Sequence, residues 1–173
     1  MHADRHYAVY WDQFTPEEWR AEEAKYLAEK QRQQQLAARS IDSVTPLDEA
    51  GERSHKLEGE RTGAGPFGNR SWRHAVDGGW FSYQLKVNAG QPQVLLVTYW
   101  GSDQGNRVFD ILVDGQKLAT QKLQNNRPDA FYDELYEIPA AMTQGKESVV
   151  VRFQAHAGAM AGGIFELRIL KRE

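Results

Sequence analysis

With 173 residues, 40% of them hydrophobic, the chain suits one domain plus an appendage better than two domains. Its formal net charge of -3 gives no electrostatic case for gripping nucleic acid or an anionic membrane surface. Cysteine is absent, which excludes disulfides, thiolate metal sites and a cysteine nucleophile together.

No apolar run approaches the ~20 residues that a membrane-spanning helix needs. The opening MHADRHYAVYW lacks the apolar centre of a secretion signal. Mean hydropathy is -0.68, low for a compact globule, and one polar segment accounts for much of it.

In chain order, residues 5–14 (RHYAVYWDQF) predict a short strand with Tyr7, Val9 and Trp11 on one side. Standing directly before a helix, it reads as the last strand of a preceding domain, and its open edge predicts either pairing with a second chain, as in a dimer, or a place on a sheet edge. Thr15-Pro16-Glu17-Glu18 is a helix start: Thr15 suits the N-cap, Pro16 the first turn, and Glu18 the reciprocal capping position. The helix should run over 15–39 on high-propensity residues. Its apolar content is thin, so it should be largely exposed and pack only through Trp19, Tyr26 and Leu27. No sustained heptad supports a coiled coil. Residues 40–54 (SIDSVTPLDEAGERS) break both periodicities and read as a linker, with the main domain covering 55–173.

From His55 onward the pattern is β. An edge strand is expected at 55–60, then a Gly-rich loop over 62–79, then a strand at 80–87 with Phe81, Tyr83, Leu85 and Val87 inward. The stretch VLLVTYWGSDQGNRVFDILVDG (94–115) organises the rest. Its first run is apolar on both faces, which marks a central strand. In its second run Phe109, Ile111 and Val113 share a face and Asp110 opposes them. Asp114-Gly115 is the dipeptide best suited to a type I′ hairpin turn. Further strands are expected at 116–123, 131–138, 147–155 and 163–171, the last with Phe165, Leu167 and Ile169 inward. About eight strands at this spacing predict a mainly β fold, an antiparallel β-sandwich of jelly-roll, galactose-binding-like type.

No catalytic constellation is visible. Asp103, Asp110 and Asp133 show no spacing that pairs two carboxylates across a cleft as glycoside hydrolysis requires. His2, His6, His55, His74 and His156 are scattered, without a metal-binding spacing. Calcium held by loop carbonyls and Asp103 or Asp77 has no spacing signature behind it, and no cofactor is expected. The ingredients of a sugar site are present instead: Trp72-Arg73 in one loop, and Tyr99, Trp100, Asp103, Asn106 and Arg107 around another. Aromatic faces accept sugar C–H groups, and the polar side chains offer donors and acceptors to hydroxyls. The alternative is structural: Trp80 and Trp100 in the core, Arg73 paired with Asp103 or Asp110, and Asn106 and Arg107 holding turn backbone.

Five patches, WRHAVDGGWFSY (72–83), TYWGSDQGNRVFDILVDG (98–115), FYDELYEIP (131–139), VVVRFQAHAG (149–158) and AGGIFELRIL (161–170), resemble a known family. They are similar to the C-terminal β-sandwich domain of bacterial β-L-arabinofuranosidase-like proteins, the glycoside hydrolase family 127 group. The resemblance spans roughly 55–171. It implies a terminal piece of a larger, exported glycoside hydrolase, in which this sandwich is a non-catalytic accessory domain. Its expected partners are the parent's catalytic domain, through interdomain packing, and in the alternative plant-type oligosaccharides containing arabinose. The family's cysteine nucleophile and zinc site cannot be carried over, because the chain has no cysteine.

Overall fold

The computed structural model describes residues 15–172. The strand expected over 5–14 lies outside them. The chain divides into two compact units, Met1–Ala38 and Arg39–Glu173.

Helix α1 (Pro16–Arg39) begins as its sequence dictates. Glu18 N–H donates to Thr15 Oγ1 at 3.2 Å, and Thr15 N–H donates back to Glu18 Oε2 at 2.8 Å. This reciprocal pair satisfies two amides that the first turn leaves without helical partners. Glu22–Lys25 and Glu29–Arg32 ion pairs line its surface. None of its residues is buried, and Trp19, Tyr26 and Leu27, expected to pack, are exposed. High intrinsic propensity, rather than an apolar stripe, accounts for the helix.

The second unit is built from β1 (Ser40–Val44), α2 (Glu49–Ser54), β2 (Glu58–Phe67), β3 (Arg70–Lys86), β4 (Gln93–Trp100), β5 (Arg107–Val113), β6 (Gln116–Leu123), β7 (Phe131–Ile138), α3 (Ala140–Thr143), β8 (Ser148–Ala155) and β9 (Met160–Lys171). Hydrogen bonds run in the order β6-β5-β8-β3-β9-β4-β7, with β1 added on β9 and β2 on β3. All pairings are antiparallel. The two longest strands make the fold. The second half of β3 pairs with β8, while its first half pairs with the start of β9. The rest of β9 pairs with β4. The sheet thus turns over on itself, giving one layer of β6-β5-β8-β3 and another of β7-β4-β9-β1. The result is a mainly β, antiparallel sandwich.

Alternate residues fill its interior, as period-two patterning requires. Phe81, Tyr83 and Leu85 of β3, Val149, Val151 and Phe153 of β8, and Phe109, Ile111 and Val113 of β5 face Leu95, Val97 and Tyr99 of β4 with Leu167 and Ile169 of β9. Phe81 and Phe153 stack at 5.1 Å between ring centroids. Strand β4 is buried on both faces, as the apolar residues on both sides of its Val94–Trp100 run predict. Asp114 and Gly115 both take positive φ, 48° and 80°, the signature of the type I′ turn.

Three expectations need correction. Residues 40–54 are not a plain linker: they hold β1 and α2. Val44 is buried in the core, and Asp42 Oδ2 accepts the Lys86 amide at 2.7 Å. A short edge strand and a six-residue helix take their stability from such distant contacts, which leave no local periodicity. The Gly-rich loop expected over 62–79 is mostly a hairpin, β2 against β3, because Gly63 and Gly65 face His74 and Trp72 across the ladder. Finally, Phe165 does not point into the core with Leu167 and Ile169. The β4–β9 register slips between Thr98 and Tyr99, so Ile164 opposes Tyr99 inside and Phe165 turns to an outer aromatic group. A bulge reverses the faces of the strand beyond it.

Candidate functional site

The site is assembled at one end of the sandwich, where the β2–β3 hairpin, the end of β4, the β4–β5 connection and the start of β9 meet. Strand β3 supplies Trp72 and His74, whose rings stack at 4.8 Å with 22° between planes. This stack lies on the glycines of β2. A Cβ built on Gly65 would come within 2.7 Å of Trp72 Cζ2, so only glycine admits the indole there. Glycine is a weak strand former, yet here it serves as the bed on which the platform rests.

A second aromatic group lines the same cleft. Phe67 packs on Trp100 at 5.1 Å and on Phe165 at 6.0 Å, while Phe131 contacts Trp100 and Phe165 at 4.9 and 4.8 Å. Between the groups opens a cleft of about 340 Å³ lined by Phe67, Trp72, His74, Trp100, Asp103 and Arg107, among others. Asp103 and Arg107 form an ion pair at 3.3 Å. Asp103 Oδ2 also accepts the Gly163 amide at 3.3 Å. Burial pushes the Asp103 carboxyl up from its usual range, against the pull of Arg107 and the Gly163 amide. His74 is held below its ordinary value, first by burial and then by Arg107 and Arg73. A second hollow of similar size adjoins the cleft, sharing Arg107 and Met160 and carrying Asp77, Gln104 and Asn106.

Of the seven residues expected from sequence, Trp72, Trp100, Asp103 and Arg107 therefore line one cleft. Asn106 lies in the adjoining hollow, its amide donating to Gly158 O at 2.8 Å. Arg73 and Tyr99 face the interior. Arg73 sits between Trp72 and His74 in sequence, so alternation sends it to the opposite face of β3. There it meets Glu52 of α2 in two bonds of 2.9 Å, and Tyr83 Oη donates to the same carboxylate at 2.7 Å. That partner is neither Asp103 nor Asp110, the two weighed from sequence. Tyr99 is fully buried, and its hydroxyl bonds that of Tyr136 at 3.0 Å. Trp80 is not core either: it lies on the outer face of β3 beneath Arg152, 3.9 Å from guanidinium carbon to ring centroid.

Sequence reasoning missed Phe67, His74 and Phe165. The glycine alternation at Gly63 and Gly65 was the available signal for the first two. Phe165 depends on a bulge and left none.

Elsewhere, a polar hollow of about 420 Å³ lies among Asp42, His55, Gln84, Lys86 and Glu147. Many of its polar atoms are engaged with one another: His55 Nε2 meets Asp42 Oδ1 at 3.0 Å, and the Gln84 amide donates to Ser148 at 2.7 Å. Among the described residues, no group of three or more His, Asp or Glu side chains is placed to hold a metal ion.

Solved structures share this fold. A family 35 carbohydrate binding module from Clostridium thermocellum aligns with a TM-score of 0.56 at 11% identity, covering 76% of this chain and 99% of that one. The C-terminal CBM6 of LamC, a marine laminarinase from Zobellia galactanivorans, aligns at 0.52 and 12%, over 75% and 98%. An exo-β-1,3-galactanase from Phanerochaete chrysosporium, solved with β-1,3-galactotriose, aligns at 0.53 and 8%, over 75% of this chain and 29% of that one. At such identities the likeness is one of fold, a jelly-roll sandwich. A comparison with curated proteins finds no match. Over residues 35–170 the sequence matches the model of a family of unknown function, DUF6805, and the chain belongs to that family.

Proposed function

We propose that the sandwich is a non-catalytic carbohydrate-binding module whose site is the cleft between the Trp72–His74 stack and the Phe67–Trp100–Phe165 group. The observation that carries this reading is one cleft lined both by aromatic rings, Phe67, Trp72, Trp100 and Phe165, and by a charged pair, Asp103 and Arg107. A sugar ring presents C–H groups on its faces and hydroxyls around its rim, so such a cleft meets both parts of it. The adjoining hollow around Asn106 and Gln104 gives a chain of sugars somewhere to continue. The sandwiches with similar folds that are named as carbohydrate binding modules support the same reading. On the sequence resemblance alone, attachment to a glycoside hydrolase catalytic domain is part of the proposal, and arabinose-containing glycans are the first ligands to try.

Titration calorimetry of the chain against neutral plant oligosaccharides tests it. Trp72→Ala should weaken the best ligand at least tenfold, roughly 1.4 kcal/mol. Gly163→Ala should do the same by a different route. Its methyl group would sit 3.3 Å from Trp72, 3.4 Å from Phe165 and 3.7 Å from Asp103, in the cleft itself. Circular dichroism of both variants separates lost binding from lost folding. No affinity for any glycan would overturn the reading and leave interdomain packing, which rests on the sequence resemblance, as the module's role.

A further inference from the structure

Building on the carbohydrate-binding reading, we infer that the cleft takes an uncharged sugar and discriminates against the matching uronic acid. Recognition of a carboxylate calls for a cation whose donors are free to form a planar, two-bond contact. Arg107 is the guanidinium in the cleft, and each of its three nitrogens is already engaged, taking three of its five N–H donors: Nε on Gln104 O at 3.1 Å, Nη1 on Gly162 O at 2.6 Å, and Nη2 on Asp103 at 3.3 Å. Arg73, next along the strand, faces away and is taken up by Glu52. Burial first, and then Arg107 and Arg73, lower the proton affinity of His74, which works against a second cation in the cleft. The acidic group in the cleft is Asp103, paired with Arg107 through Oδ1 while its Oδ2 lies beside Gly163 at the cleft surface. A uronate would bring its own negative charge against this carboxylate in a partly dehydrated space, where like charges repel more strongly than in water. A neutral ring instead offers hydroxyls that donate to Asp103 while its C–H face rests on Trp72.

Calorimetry of the whole chain with matched methyl glycosides decides the matter. The pairs are galactoside against galacturonide and glucoside against glucuronide, with an arabinoside and a xyloside as further neutral probes. The expected result is that a neutral hexoside binds and its acidic partner is at least tenfold weaker. Asp103→Asn, which removes the repelling charge and frees Arg107, should narrow that gap by raising uronide affinity above wild type. A melting curve establishes that the variant is folded; if it is not, the wild-type pairs decide alone. A uronide binding as tightly as its neutral partner would overturn the inference and leave the carbohydrate reading standing. Failure of every probe, neutral and acidic, would instead overturn the carbohydrate reading, and this inference with it.

Discussion

The most demanding prediction concerns Glu52→Ala. Glu52 and Arg73 are 7% and 8% exposed, and Tyr83 is fully buried. Glu52 accepts two bonds from Arg73 and one from Tyr83. Truncating it strands a buried guanidinium and a buried phenol at once. Breaking a buried pair by removing one partner costs about 3–5 kcal/mol, and an unsatisfied buried hydroxyl adds to the lower end of that range. For a unit of this size each kcal/mol lowers Tm by about 2–4 °C, so a fall on the order of 10 °C is expected. Urea unfolding followed by tryptophan fluorescence should show a lower midpoint with an unchanged slope, the mark of altered stability rather than altered compactness. Removing all three polar groups together, as Glu52→Leu, Arg73→Met and Tyr83→Phe, should recover most of the loss, because no buried charge is left alone. The consequence for function is specific: Arg73 lies between Trp72 and His74, so slackening its anchor should also loosen the cleft wall and weaken glycan binding. A cost below about 1 kcal/mol for Glu52→Ala would refute the reasoning.

Two further outcomes are expected. Gly65→Ala forces a methyl group into the Trp72 ring, and overpacking of this kind costs on the order of 1–3 kcal/mol; it should shift Trp emission and weaken the best glycan severalfold, and unchanged affinity would detach the glycine bed from the site. Partial burial raises the Asp110 carboxyl, but hydrogen bonds from Thr120, Lys117 and His156 outweigh it and bring the group from 3.8 down to about 2; the stability it lends is therefore intact above its ordinary value and lost as pH falls towards about 2. Melting curves of wild type and Asp110→Asn should converge over that acid window, and a constant gap down to pH 2 would contradict the assignment.

How far the sequence reached depends on which physics was local. Strand periodicity, the Thr15–Glu18 cap and the Asp114-Gly115 turn are properties of neighbouring residues, and each is legible in the chain. Trp72, Trp100, Asp103 and Arg107 were also picked out in the chain, and they line one cleft because they lie at strand ends and in the β4–β5 connection at one end of the sandwich. Which aromatic and charged residues reach the cleft was less legible. Arg73 and Tyr99 look like ligand contacts in a string of letters, yet their direction is fixed by strand alternation and by partners, Glu52 and Tyr136, that lie 21 and 37 residues away.

The amino-acid sequence alone therefore determined that this protein is an antiparallel β-sandwich behind a capped, polar helix, since alternation, propensity and turn chemistry act within a few residues. Only the tertiary structure decided that residues 40–54 join the sandwich, that a bulge turns Phe165 out to the cleft, and that two glycines carry the Trp72 platform. Those outcomes depend on register and on buried partners, and both arise only when strands remote in sequence are hydrogen-bonded side by side.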